Sequence, residues 1–121
     1  MSPPLWIAVA ALGAVGALAR ILLEDLVSVK LPLAFPVGTL AVNLSGAFIL
    51  GVLAGATLTG SAYTLAGGAS LGAYTTFSTW MLETHSLAED TRRQAALANI
   101  ILSAALGLAA AALGHALGAS L

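Results

Sequence analysis

The sequence predicts an all-α membrane protein with four transmembrane helices, and three observations lead there. Of its 121 residues, 60% are hydrophobic and only 7% charged, against about a quarter charged in a soluble domain. The charges gather in two clusters: Arg20, Glu24, Asp25 and Lys30, then Glu83, Glu89, Asp90, Arg92 and Arg93. Residues 1–19, 31–82 and 94–121 carry no Asp, Glu, Lys or Arg. A helix crossing about 30 Å of hydrocarbon needs roughly 20 residues, so these stretches hold one, two and one crossings.

The chain reads as one domain, residues 1–121, and each helix has its own signal. The first is expected over about 4–24; this N-terminal apolar run lacks a basic leading region and ends in Arg20 instead of at a cleavage site, which sets it apart from a signal peptide. Pro32 and Pro36 in "VKLPLAFP" separate it from a second helix at 36–57. Gly60 in "TLTGSA" marks the turn into a third at 62–86, and the charged "LAEDTRR" precedes a fourth at 92–117.

Composition excludes several functions. The net charge of −1 argues against a nucleic-acid partner, which needs a basic surface to neutralise phosphates. The absence of cysteine leaves no disulfide framework and no thiolate metal site. His85 and His115 are expected near opposite helix ends of the fold, with no paired acid, metal-ligand spacing or activated nucleophile, so they read as interfacial residues and not as an enzyme's machinery. A bundle this small hardly encloses a solvated path alone, so oligomerisation is expected. Small residues offer surfaces for it: Gly13, Gly16 and Ala17; Gly38, Ser45, Gly46 and Gly51; Ala104, Gly107 and Ala111.

The stretch "GASLGAYTTFSTW" (68–80) is the most informative. Irregular backbone inside hydrocarbon survives only where protein or a water-filled cavity satisfies its N–H and C=O groups. Two readings stand. In one, the third helix breaks near mid-membrane and its released carbonyls can hold a small hard cation. In the other, the helix is unbroken, Gly67, Gly68 and Gly72 allow tight packing, and Thr75 and Thr76 bond back to the preceding turn. If helix resumes near Thr76, Phe77 and Trp80 share one face while Thr76, Thr79 and Glu83 share its neighbour. Asn43 is the lone amide of the second helix, and Asn99 and Ser103 lie four apart in the fourth. Such uncharged donors along a narrow path can replace an anion's hydration shell without trapping it.

These residues resemble the Fluc (CrcB) fluoride channel family. "GAVGALAR" (13–20), "GTLAVNLSGAFILG" (38–51) and "GAYTTFSTWMLE" (72–83) follow the family's order, and the likeness covers the whole chain. The resemblance implies a passive fluoride channel of the bacterial cytoplasmic (inner) membrane, a dual-topology (antiparallel) homodimer with two pores along its interface. By position, it implies that the backbone carbonyls of Gly72 and Thr75 hold a central structural Na+ shared with the partner subunit. Phe77 and Trp80 would present electropositive ring edges to fluoride, with Asn43, Thr76, Thr79 and Ser103 along the pathway, Arg20 at the vestibule and Glu83 as the acid near the third helix's end.

Two features depart from the family pattern. Its second aromatic is usually phenylalanine; here Trp80 adds bulk and an N–H donor. Alternating crossings also place Lys30, Arg92 and Arg93 on one side and no Lys or Arg among the connections on the other. That bias favours one orientation and keeps a heterodimer with an oppositely biased partner as an alternative to the homodimer. Of the competing functions, a four-helix multidrug exporter needs an acid within a helix, which "AALGAVGALA" (10–19) lacks; an auxiliary subunit would not need a broken third helix.

Overall fold

Proline sets the first boundary of the chain's architecture. In the computed structural model, which describes residues 1–121, α1 runs from Pro3 to Lys30, past the expected end at residue 24. Nothing between Glu24 and Lys30 disfavours a helix. Leu31, extended at φ −124° and ψ 77°, is the first residue forced out of it, because the Pro32 ring clashes with a helical predecessor. α2 (Val37–Gly55) starts directly after Pro36. At about 1.5 Å per residue its 19 residues match the hydrocarbon thickness.

α2 ends in a left-handed turn. Thr57 has φ 60°, and the Leu58 N–H donates to the Leu53 carbonyl at 3.1 Å, the six-to-one bond that closes helix C-termini. Gly60, at φ 65°, then turns the chain where a side chain would be strained. The next segment is divided. It begins as α3 (Gly60–Tyr63), widens to π winding over Thr64–Leu71, and tightens again in α4 (Gly72–Tyr74). Thr75 is extended at φ −81° and ψ 158°, and the helix restarts as α5 (Ser78–Glu89). A second left-handed threonine, Thr91 at φ 59°, leads into α6 (Arg93–Ala119).

The break is therefore real but displaced from its strongest sequence signal. Gly67 and Gly68 lie in the π-wound stretch and Gly72 is helical at φ −61° and ψ −38°; the backbone leaves the helix only at Thr75. The back-bonding expected of an unbroken helix also occurs, since Thr75 Oγ1 donates to the Leu71 carbonyl at 3.1 Å.

Helix packing rests on glycine. A Cβ on Gly51 or Gly55 would overlap the carbonyl of Ala111 or His115, and one on Gly114 or Gly118 would overlap that of Phe48 or Val52. α2 and α6 thus interlock reciprocally, backbone against backbone. Gly16 of α1 admits the Ser70 carbonyl of the π-wound stretch, Gly38 faces Glu24 of α1, and Gly46 faces Thr75 and Tyr74. This corrects the expectation that Gly16, Gly38, Gly46 and Gly51 are oligomer surfaces: close approach within the chain already occupies them. Gly107 stands open, with no atom within 4 Å of a Cβ placed there.

α1, α2 and α6 are each long and apolar enough to cross a membrane. Their burial pattern is the inverse of a soluble domain's. Only Val42, Ala69, Leu87 and Ala96 form a buried apolar core, while large apolar side chains such as Ile7, Val29 and Leu108 are more than 70% exposed. The ends of the helices sort as alternating crossings require. Arg92 Nη1 reaches the Ala34 carbonyl at 3.5 Å, joining the first and third connections, while Gly55 packs on His115 at the opposite end.

Candidate functional site

The break at Thr75–Phe77 exposes backbone groups that a helix would have paired, and α2 supplies the replacement. Asn43 Nδ2 donates to the Thr76 carbonyl and Asn43 Oδ1 accepts the Thr76 N–H, both at 2.8 Å. One amide thereby satisfies both polar groups of one peptide residue, which in hydrocarbon would otherwise cost several kcal/mol each. The Thr76 N–H is the donor that would have closed a helical bond to Gly72. Neither the Gly72 nor the Thr75 carbonyl accepts a backbone hydrogen bond.

Thr76 also restarts the helix. Its Oγ1 accepts the Thr79 N–H at 3.2 Å and donates to Thr79 Oγ1 at 3.2 Å, so it caps α5 as a threonine three residues upstream does. "TFST" (76–79) is thus a helix start placed inside an otherwise apolar segment. Next to the clamp, Ser45 and Tyr74 hydroxyls meet at 2.9 Å, tying α2 to α4.

A cleft of about 630 Å³ opens beside the break. Gly72, Thr75, Thr76 and Phe77 reach it from the divided segment, Trp80 from α5, Asn43 from α2 and Ser103 from α6. Phe77 stands 70% exposed. Its ring meets Trp80 edge to face, centroids 5.7 Å apart at 87°, a geometry favoured by the ring quadrupoles. Both rings sit within one turn of the clamp.

Three predicted residues lie outside this cleft. Thr79 touches it only through Thr76. Glu83 lines a separate cleft of about 500 Å³ together with Glu24 and Thr39. Arg20, half-buried on α1, lines neither. No group of three His, Cys, Asp or Glu side chains converges as metal ligands. His85, expected to have no paired acid, does meet one: its Nε2 lies 2.6 Å from Glu89 Oε1, because residues four apart share one exposed helix face.

Sequence reasoning noted Asn99 but did not place it at the site. It is 1% exposed, with Nδ2 donating to Thr84 Oγ1 at 2.9 Å, Oδ1 accepting from Ser103 at 3.4 Å and its carbonyl accepting the Trp80 indole N–H at 3.1 Å. The signal was available: an amide in an apolar run needs partners. Only Ser103 of that pair was taken for the site. Thr84 went unnoticed because nothing in its own segment distinguishes it from Thr79.

Fold and site together define a multi-pass helical membrane protein whose divided segment opens a cleft walled by aromatic rings, hydroxyls and an amide. The sequence matches the family described as CrcB-like protein, Camphor Resistance (CrcB), over residues 7–115, and the chain belongs to that family. It is 53% identical over 111 residues to fluoride-specific ion channel FluC 2 of Mycobacterium bovis, covering 92% of this chain and 88% of the relative. Fluoride-specific ion channel FluC 1 of Symbiobacterium thermophilum is 41% identical, with 93% and 96% covered. Fluoride-specific ion channel FluC of Magnetococcus marinus is 42% identical, with 93% and 94% covered.

Proposed function

We propose that this chain forms a passive fluoride channel of the bacterial cytoplasmic membrane, exporting the anion down its electrochemical gradient, and that it is not an enzyme. The observation that carries the reading is the cleft at the break. Phe77 and Trp80 offer ring edges and Asn43 a second amide hydrogen beyond the one given to Thr76, beside the Thr76 and Ser103 hydroxyls, which donate to Thr79 and Asn99 here and would turn toward an anion by rotation, at a depth some 10–15 Å along α2 and α6 by helical rise. Ring edges carry partial positive charge. Combined with neutral donors they compensate an anion's lost water while binding it weakly enough for exit. A fixed cation-bearing side chain in the same place would hold the ion too strongly.

Passive conduction suffices for export. An inside-negative potential of about 100 mV is worth roughly 2.3 kcal/mol per charge, which holds internal fluoride roughly 50-fold below external at equilibrium. No acid inside the cleft is required, in contrast to a proton-coupled exporter.

Two copies in opposite orientation complete the path in this reading. The cleft is open to one side and Phe77 projects from it at 70% exposure, so its outer wall is supplied by the partner subunit. The connections bearing Lys30, Arg92 and Arg93 share one end, which keeps a heterodimer with an oppositely biased paralogue as the variant of this assembly. The residues present fit a structural Na+ at the dimer centre. The Gly72 and Thr75 carbonyls accept no backbone hydrogen bond, and neutral oxygens of this kind suit a hard cation. When bound, such an ion supplies fixed positive potential to the anion path. Asn43 and Thr76 serve it by keeping those carbonyls out of helical pairing. Arg20 is assigned to the vestibule, and Glu83 remains the acid near the end of the third crossing, in the cleft it shares with Glu24 and Thr39.

Fluoride efflux from proteoliposomes, read by an electrode beside a chloride measurement, tests the function. Rapid fluoride efflux with little chloride efflux is expected; efflux no faster than from empty vesicles rejects it. Cysteine accessibility from both sides tests the assembly, since a single orientation for every copy removes the dual-topology homodimer.

A further inference from the structure

Asn99 does not line the cleft, yet its polar groups act on a residue that does. Its carbonyl accepts the Trp80 indole N–H at 3.1 Å, and its Nδ2 donates at 2.9 Å to Thr84 Oγ1, whose hydroxyl in turn donates to the Trp80 carbonyl at 2.8 Å. Trp80 is therefore held at side chain and backbone by one buried circuit between α5 and α6. At the same time Trp80 forms the edge-to-face pair with Phe77.

We infer that Asn99, with Thr84, is a positioning residue for conduction: its side chain, through Thr84, fixes the Trp80 main chain against α6 and so seats the indole N–H on the main-chain carbonyl of residue 99, leaving only ring edges of Trp80 to face the cleft. Asn99→Leu and Thr84→Val keep that carbonyl but release the tie that aligns the indole with it. An indole N–H is a full hydrogen-bond donor, and in a dehydrated site it would grip an anion far harder than a C–H edge does. Conduction requires binding weak enough to release. With its donor engaged by the Asn99 carbonyl, tryptophan works as a bare aromatic; with the donor freed, it becomes a trap. This inference rests on the fluoride-channel reading above.

The test is a cycle in proteoliposomes of four proteins: parent, Asn99→Leu, Trp80→Phe and the double variant. Fluoride flux is compared with and without Asn99 in each background. In the Trp80 background the loss is expected to be about tenfold, and in the Trp80→Phe background, which has no indole N–H to occupy, less than about twofold. Equal losses in both backgrounds, or no loss in the first, overturn the inference. Thr84→Val, close in volume, removes the hydroxyl that accepts the Asn99 amide. It is expected to give the same background dependence and replaces Asn99→Leu if that variant does not fold. A second readout is independent of transport. Of the two tryptophans, Trp6→Phe leaves Trp80 as the sole indole, and its emission is expected to shift on Asn99→Leu or Thr84→Val; unchanged emission overturns the inference. A parent that conducts no fluoride rejects the channel reading itself, and the emission then still reports on the Trp80 tie.

Discussion

Along the α2–α6 seam, four glycines admit the carbonyls of the facing helix, and no side-chain hydrogen bond crosses the contact. Across the divided segment the pattern reverses: Asn43, Thr76, Thr84 and Asn99 hold the backbone and rings through hydrogen bonds of 2.8–3.2 Å. The seam tolerates any chemistry that adds no volume, because lipid offers no hydrophobic drive and dispersion at close range does the holding. The break tolerates some change in volume but no loss of a donor or acceptor.

Substitutions that cross these two regimes sharpen the contrast. The largest effect is expected for Phe77→Ile, which removes the exposed ring edge: fluoride flux should fall at least ~100-fold, about 2.7 kcal/mol in barrier. Parent-like efflux from this variant would dismiss the aromatic assignment. Asn43→Ala comes next, leaving the Thr76 N–H and C=O unpaired. A stability loss of about 2–4 kcal/mol, with flux falling in step, should be seen by thermal melting in detergent and by efflux; an unchanged melt means the clamp does not hold the break.

Gly114→Ala adds one methyl where the Phe48 carbonyl lies, and about 1–3 kcal/mol of destabilisation is expected in the same melt. Trp80→Phe keeps a ring edge and gives up the Asn99 tie, so flux should change by no more than a few fold, roughly 1 kcal/mol or less. Gly68→Ala provides the smallest effect and the internal control for Gly114. Nothing lies within 4 Å of its added Cβ, and a shift within about 1 kcal/mol is expected. If Gly68→Ala and Gly114→Ala melt alike, close packing does not distinguish the two regions.

Three of the expected crossings, α1, α2 and α6, are helices long enough to span, and they were legible because charge placement and hydrocarbon thickness are both one-dimensional; the expected third is divided into shorter pieces. Glu24 to Lys30 misled at the end of α1, since charge was read as a boundary where only Pro32 enforces one. The exact site of the break was harder. Gly67 and Gly68 look like the weak point locally, but the backbone leaves the helix at Thr75, where an acceptor and donor from Asn43, 33 residues away from Thr76, take over the pairing. That decision is made between helices, and no local pattern records it. Asn43, Thr76, Phe77, Trp80 and Ser103 stand out as polar and aromatic residues in an apolar chain, and the structure brings them to one cleft. Thr84 and Asn99 matter through the α5–α6 register, which the sequence does not display.

The clamp also bears on the sequence of events at the ribosome. Asn43 is synthesised 33 residues before Thr76, so the partner of the break's peptide groups is already made when they emerge. Trp80 has no such advantage: its acceptor on Asn99 emerges 19 residues later. The near half of the break can settle during translation, whereas the ring that faces the cleft stays untethered until the last helix is inserted.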